Sequence, residues 1–266
     1  MRGIDAEDRG FTLGHGLFET VLWRDGALAS WDAHIDRLTH SCPQIGLPSP
    51  DPQACRRAVD VALAHAGPPN RAAVRMTWSA GRGGRGLDMP ASPRPVLTVT
   101  VTAAHAPEGP TALITAQVRR NDRSPASRLK TLAYLDNVLA RGEARAAGAE
   151  EALMLNTRGE IACAAAANVF WIRADAVFTP SLTCGVLAGT VRADVLEACR
   201  RLGVAAHEVR ARPRDLAGAA MFLTNSLMGI RPVAVLDGRD LPEHLLIAAL
   251  KREIASQSLF GSDGII

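Results

Sequence analysis

Lysine occurs at two positions, Lys130 and Lys251, and the other 28 basic residues are arginine. Tyrosine occurs once, at Tyr134, four residues after the first lysine. A chain with two lysines has few places for chemistry that needs a primary amine. Arginine cannot substitute, because its guanidinium stays protonated and is not a usable nucleophile. Lys130 lies in Ser127-Arg128-Leu129-Lys130-Thr131-Leu132-Ala133-Tyr134, at the end of a polar loop and among long apolar residues. The ordinary role there is a surface lysine laying its stem on apolar neighbours. Yet arginine takes nearly every other basic position, so a lysine retained in an apolar setting points to a need for an amine. A desolvated amine can form a Schiff base with a carbonyl compound, and Tyr134 is placed to hydrogen-bond a phenolic oxygen.

Other spacings carry weaker signals. Gly81-Arg82-Gly83-Gly84-Arg85-Gly86 satisfies G-x-G-x-x-G. Asp88-Met89-Pro90 and Pro93 follow it, so no helix opens there and a dinucleotide site is excluded. The segment reads as a mobile arginine-bearing loop, or as one in which Arg85 anchors a substrate carboxylate. Gly189-Thr190-Val191-Arg192 opens a helix at which Thr190 reads first as a plain N-cap, the alternative being that the free N–H groups there bind a phosphate. Asn225-Ser226 follows an apolar run and reads either as turn chemistry or as a ligand contact. Cys42, Cys55, Cys163, Cys184 and Cys199 are odd in number and without CxxC spacing, which suits reduced thiols in the cytoplasm better than a disulfide framework or zinc site. The seven histidines are scattered and form no metal-ligand pair.

The elements that must position these residues are legible. Residues 17–23 and 27–31 flank Asp25-Gly26, a hairpin signal. A helix is expected from Asp32, as N-cap, to Cys42, and a second from Asp51-Pro52 to Gly67. Strands are expected at 71–79 and 96–103, the latter alternating Leu97, Val99 and Val101 against threonines. Ala104 to Pro110 reads as a linker, dividing a small N-terminal domain (1–104, linker 105–110) from a larger C-terminal one (111–266) that carries Lys130. There, strands are expected at 112–119, 151–156, 160–172, 176–179, 204–211, 219–224 and 231–236. Helices are expected at 134–147, 190–202 and 242–256, with a short one between the strands at 204–211 and 219–224. Hairpins and helices mix in both halves, so the class is α+β (mixed α/β) rather than a regular βαβ array.

The 266 residues carry a formal net charge of +3, with 47% hydrophobic and 21% charged residues. This is a globular composition, and its near-neutral charge argues against nucleic-acid binding. No signal peptide opens the chain and no apolar run approaches the ~20 residues of a membrane span.

Taken in order, several segments resemble the fold-type IV family of pyridoxal-phosphate enzymes. They are Asp8–Thr20, His34-Ile35-Asp36-Arg37-Leu38, Leu129-Lys130, Asn168-Val169-Phe170-Trp171, Leu187–Arg192 and Thr224-Asn225-Ser226-Leu227. The resemblance implies a two-domain fold like that of the D-amino-acid aminotransferases, a homodimer, and pyridoxal 5'-phosphate as cofactor. Within the family, Ala166–Trp171 and Leu223–Val233 look most like aminodeoxychorismate lyase, a folate-precursor enzyme. Branched-chain or D-amino-acid aminotransferases remain the alternative. The resemblance implies that Lys130 is the Schiff-base lysine, that Arg37 pairs the phosphate bidentately, and that Thr190, Val191 and Ser226 complete the phosphate cup. It also implies that Tyr134 lies near the phenolic oxygen and that Asn168 marks the strand beside the ring. One departure stands out: the family's carboxylate against the pyridine nitrogen falls at Cys163. Simple strand alternation puts Glu160 on the opposite face, unable to take over. A catalytically altered relative therefore also stays open. The resemblance further implies a short strand ahead of Asp8, for which seven residues leave little length.

Overall fold

A computed structural model describes residues 3–67 and 70–257. They form two compact units, one from the described residues up to His105 together with Leu129–Ala133, the other from Ala106–Arg128 and Tyr134 onward.

The first unit is built on a four-stranded antiparallel sheet. A short helix α1 (Arg9–Leu13) leads into β1 (Gly16–Arg24). Asp25 and Gly26 both take positive φ, +50° and +83°, which is the geometry of a primed hairpin turn, and β2 (Ala27–Leu28) follows. Helix α2 (Trp31–Ser41) begins one residue before the expected N-cap: Ser30 precedes it in a left-handed conformation, so Asp32 is a first-turn residue instead. Helix α3 (Pro52–Ala66) starts as expected, with the Asp51 carboxylate accepting from the N–H groups of Gln53 and Ala54. Strands β3 (Arg71–Ser79) and β4 (Val96–Ala103) complete the sheet in the order β2-β1-β3-β4. One face packs Val21, Val74 and Met76 against Ile35 of α2 and Cys55, Val59 and Leu63 of α3.

The segment carrying Lys130 belongs here and not to the C-terminal domain. Phe18 N–H donates to Lys130 O and Leu132 N–H to Gly16 O, both at 2.9 Å, so the segment runs along the free edge of β1. A strand edge with unpaired N–H and C=O groups recruits it regardless of sequence order.

In the second unit, β5 (Thr111–Arg120) is followed by α4 (Leu135–Ala146), β6 (Glu151–Asn156), β7 (Ile161–Ala164), β8 (Asn168–Arg173) and β9 (Ala176–Pro180). Then come α5 (Thr190–Arg201), β10 (Ala206–Val209), β11 (Ala220–Asn225), β12 (Gly229–Leu236), β13 (Arg239–Asp240) and α6 (Leu245–Gln257). The strands make one mixed sheet in the order β10-β9-β8-β11-β12-β5-β6-β7, with β13 on β12. Inward residues from six of them, among them Leu113, Leu153, Ile161, Val169, Leu223 and Val233, share one core, so the sheet curls on itself. On its other side Phe170 and Phe222 stack at 4.9 Å beneath Val195 and Ala198 of α5 and Leu250 of α6. The continuous strand expected at 160–172 is two strands. Ala165–Ala167 turns between them because Glu151, Asn137 and Asn225 bind its backbone. No helix among the described residues is long and apolar enough to cross a membrane.

Candidate active site

In the first unit, Lys130 is half-buried and its Nζ lies 4.2 Å from the centroid of the Phe18 ring. A second cation shares that ring: the Arg75 guanidinium carbon is 3.8 Å from the same centroid. Two cations on one aromatic ring each gain from its quadrupole and repel one another. Arg75 was not foreseen; an arginine inside the apolar run of β3 was the available signal.

On the opposite face of β1 stands Glu19, 1% exposed. His34 Nδ1 lies 2.7 Å from its Oε2, and Arg37 donates from Nε (2.8 Å) and Nη2 (2.6 Å). Burial alone would push this carboxyl up, but the bonds from Arg37 and His34 outweigh it and bring its pKa down to about 2. The Nε/Nη2 edge of Arg37 is thus committed to Glu19 rather than presented bidentately to a phosphate. Glu19 was also missed, though a carboxylate within Leu17–Leu22 marks it.

Arg85 is exposed in the glycine-bearing loop, and no helix follows it. The loop is fastened rather than loose at its far end. Arg9, 2% exposed, donates to the carbonyls of Gly86, Leu87 and Asp88 at 2.7–3.1 Å. Gly83 must lack a side chain, because a Cβ there would sit 2.1 Å from Arg9 Cδ.

In the second unit, α5 opens without a side-chain cap. Gly189 is the N-cap residue and Thr190 the first helical one, so the capping role expected of Thr190 is not what it does. The first turn holds no acidic residue, and the N–H groups of Thr190 and Val191 point out of the helix end, where the helix dipole favours an anion. Asn168 shapes the approach: its Nδ2 donates to Leu187 O at 2.9 Å, and its Oδ1 would be 2.1 Å from a Cβ at Gly189. Thr224 pairs with Asn168 across β8 and β11, and its buried Oγ1 has no hydrogen-bond partner among the described residues. An uncapped helix end, a glycine cradle and an orphaned hydroxyl suit a phosphate.

Asn225 performs turn chemistry. Its Oδ1 accepts from Leu227 N–H (3.0 Å) and Met228 N–H (2.9 Å), while its Nδ2 donates to Ala166 O (3.0 Å). Its side chain is thereby occupied, and its effect is to set half-buried Ser226 at the corner of the turn. Tyr134, also half-buried, is the N-cap residue of α4.

Cys163 is 5% exposed, and burial pushes its thiol up, with Arg120 pulling the other way. It is therefore neutral near pH 7. The alternation argument about Glu160 needs correction. Cys163 pairs with Met154 and Ile161 with Leu155, so β7 carries a bulge at Ala162. Ala162 and Cys163 consequently enter the same cluster, together with Cys184, whose Sγ lies 3.9 Å from a Glu160 oxygen. Glu160 does face that side. It is unavailable for another reason: Arg210 holds one oxygen at 2.7 and 3.0 Å and Asn156 the other at 2.9 Å.

A family model for class IV aminotransferases matches residues 16–236. The chain belongs to that family. It is a pyridoxal-phosphate-dependent enzyme. Aminodeoxychorismate lyase of Vibrio harveyi is 28% identical over 89% of this chain and 88% of its own. A putative branched-chain-amino-acid aminotransferase of Methanocaldococcus jannaschii is 30% identical over 89% and 83%. The structure of a hypothetical aminotransferase from Mycobacterium tuberculosis in a PLP-bound form superposes with a TM-score of 0.83 at 26% identity, covering 97% of this chain and 95% of that one. The fold is that of the fold-type IV enzymes, as expected. Lyases and aminotransferases are equally close, so the activity must be argued from the site.

Proposed function

We propose that this enzyme is an aminodeoxychorismate lyase, converting 4-amino-4-deoxychorismate to 4-aminobenzoate and pyruvate. The observation that carries the reading is the neutral, buried thiol of Cys163 on β7, with the neighbouring carboxylate of Glu160 tied to Arg210.

Pyridoxal 5'-phosphate, joined to an amine, withdraws electrons from bonds around the carbon that bears it. A carboxylate beside its ring nitrogen would keep that nitrogen protonated and deepen the withdrawal; a neutral thiol does this poorly. The lyase reaction asks less of such a sink, because loss of the ring proton and of enolpyruvate leaves an aromatic product. Transamination has no comparable pull.

Lys130 acts as the base. Its amine takes the ring proton, the bond from the ring to the enolpyruvyl oxygen breaks, and a proton returns to the methylene carbon so that pyruvate departs. No oxidant or second substrate is consumed. The N–H groups of Thr190 and Val191 with the Ser226 hydroxyl hold the phosphate, and Arg37, oriented by Glu19, supplies a cation to it. Asn168 keeps the approach to α5 open, and Tyr134 serves the phenolic oxygen. Arg85 takes a substrate carboxylate. The apolar residues Leu135, Val138 and Leu139, 50–66% exposed on one side of α4, support a homodimer, and the unpaired cysteines a cytoplasmic setting.

The alternative is a branched-chain or D-amino-acid aminotransferase, supported by the archaeal relative at 30% identity. Product analysis separates them. Equal amounts of 4-aminobenzoate and pyruvate from aminodeoxychorismate are expected. Amino transfer from an amino acid to 2-oxoglutarate, with no 4-aminobenzoate, would refute the lyase reading. A protein that takes up no cofactor would leave a relative without catalysis.

A further inference from the structure

Thr224 lies on the face of the second unit's sheet that α5 covers. Along that face β11 presents Ala220, Phe222 and Thr224, and β8 sets Ile172, Phe170 and Asn168 opposite them. On the far side of β11, Ile230 of β12 is the partner of Thr224. The apolar members of these rows join Val195 and Ala198 of α5 in one cluster. The rows end in the polar pair Asn168 and Thr224, and α5 begins there: a Cβ on Gly189, the residue before the helix, would sit 2.1 Å from Asn168 Oδ1. The helix opens with no side-chain cap and no acidic residue in its first turn, so its first N–H groups lack an acceptor from the helix itself.

Thr224 is 1% exposed, and its Oγ1 has no hydrogen-bond partner among the described residues. The Asn168 amide beside it donates instead to Leu187 O. A hydroxyl can donate and accept, and burying it with neither role filled is costly. Thr179, buried in the same sheet, avoids that cost by donating to Val169 O at 2.9 Å. An orphaned hydroxyl is not by itself a ligand contact. Thr111 at the start of β5 has one too, but its partner is Val233, a residue of the inner core, so it faces away from α5. Of these two threonines, Thr224 is the one whose hydroxyl lies on the side of an open helix end.

We propose that Thr224 is a further binding residue for the cofactor: its hydroxyl donates to a phosphate oxygen held at the start of α5. The motif order assigns Ser226 as the phosphate's hydroxyl and leaves Thr224 without a role. The proposal rests on the placing of the phosphate at α5 in the proposed function. The cofactor-free chain then carries an unmet hydroxyl that the ligand meets, so deleting it costs affinity and not stability.

Thr224→Val and Thr111→Val each delete one hydroxyl at nearly constant shape, and Thr224→Ser keeps it. Dissociation constants for pyridoxal 5'-phosphate, and for pyridoxal, which lacks the phosphate, are measured by fluorescence titration. The thermal midpoint of the cofactor-free chain gives the second readout. Thr224→Val is expected to weaken pyridoxal 5'-phosphate about tenfold or more, as loss of a hydrogen bond to a charged group does, and to leave pyridoxal affinity unchanged. Its cofactor-free midpoint is expected at or above that of wild type, because an unmet polar group leaves the core. Thr111→Val is expected to share that midpoint and to bind both compounds as wild type does, and Thr224→Ser to bind as wild type does. Unchanged pyridoxal 5'-phosphate affinity in Thr224→Val overturns the proposal. Equal weakening with pyridoxal, or in Thr224→Ser, marks packing rather than the hydroxyl and overturns it as well. So does a Thr224→Val chain that is less stable without cofactor or does not fold, since the hydroxyl would then have a partner within the protein. A wild-type chain that takes up no pyridoxal 5'-phosphate instead removes the cofactor reading itself.

Discussion

Glu19 and Cys163 are both buried acids, the first on the inner strand β1 and the second on β7 at the end of its sheet, and they end in opposite charge states. Glu19 stands between His34 and the Arg37 fork, and its carboxyl is brought down to about 2. Cys163 lies among Ala116, Met154, Ala162 and Val186, with no hydrogen-bond donor aimed at it among the described residues, and burial pushes it up. Burial sets the cost of the charged form in each; the donors decide whether it is met. The first unit therefore keeps a fixed negative charge at the foot of an arginine. The second has an uncapped helix end at α5 and, on β7, a thiol kept neutral by burial.

The largest break to this comparison is expected at Lys130. Lys130→Ala should lower turnover about 10^3-fold or more, as loss of a catalytic base does, and abolish the visible cofactor band. Retention of that band would move the amine chemistry to Lys251. That lysine is half-buried on α6, and desolvation lowers its pKa.

The charged side of the comparison is sharpened by acid unfolding. The folded pKa of Glu19 lies below its ordinary value of 4.5, so its stabilisation is present above about pH 4.5 and is lost as pH falls toward 2. The depression corresponds to about 3 kcal/mol. Glu19→Gln should be less stable at pH 7 by roughly that amount and should lack the corresponding slope between pH 4.5 and 2. Parallel denaturant curves for the two proteins across that range would show that the pair contributes nothing.

The neutral side is probed more gently at the cradle. Gly189→Ala sets a methyl against Asn168 Oδ1, and its cost is a displaced side chain rather than a forbidden backbone, since φ there is −70°. Cofactor affinity should fall about tenfold, roughly 1.4 kcal/mol, measured by fluorescence titration. Unchanged affinity would place the phosphate elsewhere than at α5.

Much of the fold was legible because its signals are local. Asp51-Pro52 announces α3, Asp25-Gly26 the first hairpin, and the apolar runs at 71–79 and 151–156 their strands. Three features were not, and each depends on partners distant in sequence. The Lys130 segment joins the first unit because β1 has a free edge at Gly16–Phe18. The strand 160–172 breaks at Ala165 because Asn137, Glu151 and Asn225 bind the turn. The bulge at Ala162 defeats the alternation that set Glu160 apart from Cys163. Of the candidate site, Lys130, Asn168 and Ser226 stand out in the sequence by motif order. The commitment of Arg37 to Glu19, the role of Gly189 as cap, and the paired cations at Phe18 were visible only once the strands were paired.

The neutral thiol is the point on which the choice between elimination and amino transfer turns, and Cys163→Glu tests it directly. Rates of 4-aminobenzoate release and of amino transfer to 2-oxoglutarate are measured on the same preparations. The account predicts that the glutamate raises amino transfer about tenfold or more, one unit of charge stabilisation or better, and leaves the lyase rate within a fewfold, so that the ratio of lyase to transferase activity falls. A large gain in lyase rate, or an unchanged ratio, would contradict the claim that this site is built around a thiol.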